Sequence, residues 1–307
     1  MAEIVVTEFM DEAAVARLSA AHETLYDPSL ADRPDEIPAR LAEARALIVR
    51  NRTQVRGPVL KDAGALVAVG RLGVGLDNID VAACRARGVE VFPATGANDA
   101  SVAEYVIATA LMLLRGAYLS TAAVASGEWP RQALIGREAG GRVMGLWGYG
   151  GIGRETARRA AALGLEVIAH DPFLPEGDAR WAGAAPVDAA TLLARSDVLS
   201  LHVPLTDATR GMIDAAALAA MKPGAVLINA ARGGVVDESA LGAALRDGRL
   251  GGAALDVFEA EPLTAEAARP LAGAPNLILT PHIAGVTEES NVRVSHMIAE
   301  RILDALA

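Results

Sequence analysis

The sequence predicts an α/β chain built on doubly wound parallel sheets. Three observations carry this. Short apolar runs ending in turn residues recur along the chain: "EIVVT", "ALIVR", "ALVAV" and "VEVF" early on, then "RVMGLWG", "LEVIAHD", "SDVLSLHVP", "AVLINAARGG", "GAALDVF" and "NLILTPH". Between them lie Ala-, Leu- and Arg-rich stretches of helical spacing, such as "RETARRAAALG" and "ESALGAALRDG". Strands alternating with helices over this length imply right-handed crossovers and parallel sheets. Finally, 307 residues are enough for two domains. The units are too unevenly spaced, and too different from one another, for a solenoid.

Composition narrows the function. Hydrophobic residues make up 52% and charged residues 21%, the balance of a soluble globular chain. A net charge of −10 argues against nucleic acid as a partner, since phosphate binding needs basic stripes. Small anionic ligands answer to local arginines and stay open. The one cysteine, Cys84 in "NIDVAACRARG", cannot form an internal disulfide. A reducing cytoplasm and a buried structural thiol are therefore expected. The start "MAEIVVTEFMDEAAV" lacks the basic and long apolar segments of a signal peptide and reads as a first strand. The most apolar stretch, "YVIATALMLLRG", is bounded by Glu104 and Arg115, too short for a membrane span.

A domain boundary is expected near residue 98. "GANDASVAEYVIATALMLLR" opens with Ser101 and places Glu104 three residues later, the spacing of a capping box. The helix that follows is apolar on nearly every face, which predicts burial all round. It is read as joining two domains and packing against a subunit partner; the plainer alternative is a core helix of a monomer.

The stretch "GLWGYGGIGRETARR" carries Gly148, Gly150 and Gly153 as G-x-G-x-x-G. The motif alone is weak in a chain with 30 glycines. Its context is not: an apolar strand precedes it, a helix follows, and the next strand delivers Asp171. Gly148 permits the turn, Gly150 lets backbone approach a pyrophosphate, and Gly153 lets helix and strand pack closely. The amides of Gly151 and Ile152 would meet phosphate at the helix N-terminus. Asp171 would accept hydrogen bonds from the adenosine ribose, and a 2′-phosphate would meet a like charge there. The cofactor expected is NAD rather than NADP, and no metal.

Hydride transfer to a keto acid needs a cation for the carboxylate and a proton donor for the nascent alkoxide. Three residues follow strands where an open α/β sheet presents its ligands. Arg232 follows "AVLINAA", and its planar fork suits a carboxylate. Glu261 stands in "DVFEAEP" and His282 in "TPHIAG". A carboxylate beside an imidazole favours its charged form, keeping it a competent acid. Each alone has an ordinary reading, as a surface arginine, a capping glutamate and a strand-end histidine. His22, His202 and His296 compete less well and are read as structural.

Together "ARGGVVDE", "ALDVFEAEP" and "LTPHIAGVT", with "RLGVGLDNID", "SVAEYVIA" and "LHVPLTDATRGMI", resemble the D-isomer-specific 2-hydroxyacid dehydrogenase family over nearly the whole chain. The resemblance implies a central Rossmann NAD domain (98–285) inserted in a split, flavodoxin-like substrate or catalytic domain (1–97 plus 286–307). It also implies a homodimer through the NAD domains and an active site in the cleft. By position, Arg232 binds and orients substrate, His282 is the acid/base, and Glu261 partners His282. Val74 and Gly75 would offer amides to the substrate carboxylate. Val203 would line the adenine side; Ala230, Ala231 and Gly285 would surround the nicotinamide, with Asp256 holding its carboxamide. Glu261 disfavours the formate dehydrogenase branch, which has glutamine there. His170 stands where many relatives have tyrosine.

For the substrate, "LIVRNRTQV" places Arg50 and Arg52 around Asn51. A similar segment of phosphoglycerate dehydrogenases holds an arginine near a distal phosphate, so Arg52 with Thr53 is a candidate site for a second anion. "MDEAAV" and "VRNRTQV" also resemble the sulfolactate dehydrogenase type. The expected substrate is a short 2-hydroxy acid with a second anionic group, of the 3-phosphoglycerate or 3-sulfolactate type. A general glyoxylate/hydroxypyruvate reductase and a non-catalytic, NAD-sensing co-repressor-like protein remain as alternatives.

Overall fold

Each apolar run quoted above carries a strand, and every strand pairing is parallel. The computed structural model describes residues 2–307. It divides into two units, Met1–Asn98 with Val286–Ala307, and Asp99–Gly285.

In the first unit, β1 (Ile4–Val6), β2 (Thr24–Tyr26), β3 (Ala46–Val49), β4 (Ala68–Arg71) and β5 (Glu90–Pro93) form one sheet. Their order is β2-β1-β3-β4-β5, that of the flavodoxin-like fold. β1 and β3 are buried at every residue, because layers of side chains cover both faces. Ile4 and Val6 meet Leu18, Ile298 and Ile302 on one face. Val5 turns to the other, with Leu47, Leu41 and Cys84. The helix Glu288–Leu306, started by a Thr287–Ser290 capping box, lies so close to β4 that a Cβ on Gly70 would sit 2.4 Å from Ile298 Cγ2. Cys84 is buried, and burial pushes its thiol up, which makes it inert.

In the second unit the strands are β6 (Val143–Trp147), β7 (Glu166–His170), β8 (Ala185–Pro186), β9 (Val198–Leu201), β10 (Val226–Asn229), β11 (Gly252–Leu255) and β12 (Leu277–Leu279). The order β12-β11-β10-β9-β6-β7-β8 is the Rossmann order with one strand added at an edge. β6 pairs with β7 on one side and β9 on the other, so the strand order reverses there. In such sheets the loops leaving strand C-termini at the reversal form the ligand site.

The helix at the expected boundary differs from its sequence reading. It runs Asp99–Arg115, so Ser101 lies inside the first turn and is no cap. Glu104 reaches instead to Arg159, at 3.0 Å. Nor is the helix buried all round: Glu104, Ala108, Met112 and Arg115 form one exposed stripe at helical spacing. Among the described residues no single helix is long and apolar enough to cross a membrane.

Candidate active site

The glycine turn leaves β6 and enters the helix Gly151–Ala162, with Gly150 as its N-cap. Gly148 sits at φ +93, and a Cβ there would lie 2.6 Å from the His202 carbonyl oxygen. Only glycine meets both demands. A Cβ on Gly153 would lie 2.6 Å from the Gly148 oxygen, so helix and turn are in backbone contact. Gly150 differs: nothing lies within 4 Å of its Cβ position. No side chain among the described residues caps the helix, so the first-turn amides of Gly151 and Ile152 need an outside acceptor. Open space beside uncapped amides fits a pyrophosphate.

Asp171, at the end of β7, accepts the amides of Tyr149 (2.9 Å) and Phe173 (3.0 Å). These bonds orient the carboxylate and leave acceptor capacity for a ribose. Val203 flanks the turn, its Cγ1 lying 3.3 Å from the Gly148 Cβ position. His170 bonds the Val187 carbonyl at 3.0 Å and meets Trp147 edge-on.

The three candidate catalytic residues share the second unit and converge. His282 Nδ1 lies 2.7 Å from Glu261 Oε2. Burial works to raise the Glu261 carboxyl. Hydrogen bonds from His282 and the Phe258 amide, with the charges of His282 and Arg232, outweigh it and hold the group below the ordinary value. Arg232 follows β10 on a turn fixed by the Asn229 side chain, which donates to the Arg232 carbonyl (3.0 Å) and accepts from the Ala231 amide (3.1 Å). A Cβ on Gly233 would sit 1.7 Å from the Phe258 carbonyl oxygen, so the Arg232 turn abuts the turn that carries Glu261. With Nδ1 bound to Glu261, His282 keeps Nε2 for substrate; its side chain is 43% exposed.

Asp256 is buried at the end of β11. Its Oδ1 accepts from Thr280 Oγ1 (2.6 Å) and the Ile283 amide (2.8 Å), and its Oδ2 from the Ala284 amide (2.7 Å). A carboxylate has roughly four acceptor positions, so one on Oδ2 remains for a carboxamide. Since Thr280 donates to Asp256, the Tyr105 hydroxyl donates to Thr280, at 2.6 Å. Tyr105 and Thr280 were invisible to sequence reasoning because nothing in their local pattern ties residues so far apart. Gly285 closes the unit just beyond Ala284.

His202 is no rival acid: burial pushes its ring down to about 4, leaving it neutral. The other two histidines have partners that sequence spacing did not reveal, Glu3 for His22 (2.8 Å) and Asp11 for His296 (3.6 Å).

Arg52, Val74 and Gly75 belong to the first unit. Arg52 forms a surface ion pair with Asp32. Among the described residues the amides of Val74 and Gly75 donate to no protein group. The loop 50–53 is built around nearly buried Glu8, whose carboxylate accepts the amides of Arg50, Asn51, Arg52 and Thr53 at 2.8–3.2 Å. Arg50 Nη2 bonds Asn291 Oδ1 at 2.7 Å and lies over the Phe9 ring.

Comparison with known proteins identifies the family. Residues 107–284 match the family described as D-isomer specific 2-hydroxyacid dehydrogenase, NAD binding domain. The chain is 56% identical to (S)-sulfolactate dehydrogenase of Chromohalobacter salexigens, over 100% of this chain and 99% of that one. It is 40% identical to hydroxypyruvate reductase of Thermotoga maritima, over 89% and 88%. A D-lactate dehydrogenase from Aquifex aeolicus, solved with NAD and lactic acid, superposes with a TM-score of 0.86 at 27% identity, covering 99% of this chain and 95% of that one. With a dinucleotide turn and an Arg–Glu–His cluster in one Rossmann unit, the chain belongs to the D-isomer specific 2-hydroxyacid dehydrogenases, NAD-dependent oxidoreductases acting on a CH–OH group.

Proposed function

We propose that the chain interconverts 3-sulfolactate and its 2-keto acid. The observation that carries this is the 50–53 loop. Glu8 gathers its four amides, and burial makes the Arg50 cation less comfortable than usual. Among the described residues Arg50 forms no ion pair of its own. A desolvated guanidinium held by a neutral amide oxygen is a ready receptor for a second anion. Arg52, paired with Asp32 at the surface, supports the same loop from outside. The full-length likeness to a sulfolactate dehydrogenase favours sulfonate over phosphate there.

The site's work divides simply. NAD, when bound, supplies the hydride acceptor or donor. Gly150, Gly151, Ile152 and Asp171 would hold its pyrophosphate and ribose; Val203, Ala230, Ala231, Asp256 and Gly285 would line the remainder. Arg232 orients the substrate carboxylate and keto oxygen, with Val74 and Gly75 amides as further carboxylate donors. His282 Nε2 passes the proton to or from the substrate oxygen, while Glu261 keeps the proton on Nδ1 and stabilises the imidazolium. Leu119 (48% exposed), Trp129 (79%) and Ile135 (75%) of the second unit are unusual for a bare surface and support a homodimer through it. The single buried cysteine suits the cytoplasm.

The test is NADH oxidation with sulfopyruvate, phosphohydroxypyruvate, hydroxypyruvate and glyoxylate. Sulfopyruvate should give the highest kcat/KM. A preference for hydroxypyruvate or glyoxylate would make the chain a general reductase, and no turnover on any would leave a dinucleotide-sensing protein.

A further inference from the structure

We propose that Asp99 sets the strength and pH dependence of dinucleotide binding, by holding a carboxylate against the turn that receives the pyrophosphate. The helices Asp99–Arg115 and Gly151–Ala162 pack against each other. They also meet at their first residues: a Cβ on Gly151 would lie 2.1 Å from Asp99 Oδ2. The carboxylate therefore stands at the positive ends of two helices, where a phosphate is also drawn.

Nothing else claims this carboxylate. Among the described residues it accepts no hydrogen bond. Burial raises its pKa above the ordinary value; Arg154 opposes this and Glu155 adds to it, both on the first turns of the facing helix. Glu155 is itself kept anionic by Arg158 and Arg159, which push it down to about 2. Arg159 also bonds Glu104, further along the same helix pair. Among the described residues Asp99 thus lacks hydrogen-bond and ion-pair partners of the kind that keep Glu155 ionised, and it lies beside a position built for another anion.

Two anions cannot share that place without cost. Protonated Asp99 admits the pyrophosphate more readily than ionised Asp99. Reciprocity then requires that dinucleotide binding draw a proton onto Asp99. Affinity should fall as pH rises through the titration of this group and level off above it.

The test is binding, not turnover. NADH is titrated by fluorescence into the wild type, Asp99→Asn and Asp99→Ser, from neutral pH downward as far as the fold persists. Both variants should bind roughly three- to tenfold more tightly than the wild type at the upper pH, with the gap closing at the lower. Calorimetry in two buffers of different ionisation enthalpy should show proton uptake in the wild type that the variants lack. Wild-type affinity in both variants at the upper pH, or undiminished proton uptake in them, would overturn the assignment. Using two variants guards against one that folds poorly.

Discussion

Asp256 holds His282 from behind. Its carbonyl accepts the His282 amide at 2.8 Å, while its carboxylate accepts the amides of Ile283 and Ala284. His282 sits at φ +57, a left-handed conformation that costs a non-glycine residue on the order of 1 kcal/mol or more. The Asp256 bonds hold the backbone there, and the ring then reaches Glu261.

Asp256→Asn keeps the shape but sets an amide NH₂ against a backbone N–H. A buried donor left unsatisfied costs about 1–3 kcal/mol. Urea denaturation should show a loss in that range, and kcat should fall because the His282 loop loses its anchor. An Asn variant with wild-type stability and turnover would show that the clamp is not needed.

His282→Ala removes the only imidazole of the cluster. Turnover should drop roughly 10²- to 10⁴-fold while NADH binding stays nearly intact, since the glycine turn and Asp171 follow β6 and β7. Stopped-flow reduction and NADH fluorescence separate the two effects. Unchanged turnover would remove His282 from its role.

Much of this was legible in the sequence, for a physical reason. Strands buried on both faces must be apolar at successive residues, as "ALIV" and the "VLI" of β10 are, and so declare themselves. The strands that escaped were β2 and β8, both short and at sheet edges, β2 only partly buried and β8 exposed. The glycine turn was legible because its backbone demands glycine. The helix start was not: Ser101 and Glu104 have capping-box spacing, yet the helix begins at Asp99. The contacts of Tyr105, Thr280 and Asp99 join distant segments, and no local pattern encodes them. Which arginine of the 50–53 loop is paired with its own chain was not legible, because it depends on Asp32, twenty residues from Arg52.

Glu261→Gln tests the acid partner by pH. The Glu261 carboxyl is held below its ordinary value of 4.5. A lowered carboxyl contributes stability that is complete above the ordinary value and disappears as pH falls through the lowered one. The stability gap between wild type and Glu261→Gln should therefore be flat from neutral pH down to about pH 5 and close below 4.5. Turnover should fall roughly 10- to 10³-fold at neutral pH, because the imidazolium loses its counter-charge. A gap that widened on acidification would contradict the lowered value.

The two arginines of the 50–53 loop make the sharpest contrast. Arg52 is 55% exposed and shares its charge with Asp32, itself 62% exposed. Surface pairs of this kind contribute little, and removing Arg52 leaves the loop amides gathered on Glu8. Arg50 is more enclosed and bonds a neutral oxygen, so its charge is available to an arriving sulfonate. A charge-assisted hydrogen bond of about 1.5–3 kcal/mol corresponds to roughly 10- to 150-fold in affinity. Arg50→Gln should raise the KM for sulfopyruvate by that order and leave the KM for glyoxylate, which has no second anion, nearly unchanged. Arg52→Gln should raise the sulfopyruvate KM by a few-fold at most. Equal losses on both substrates in Arg50→Gln would mean that the loop supports the fold and reads no distal anion. A larger effect from Arg52 would mean that Asp32 releases it to bind substrate.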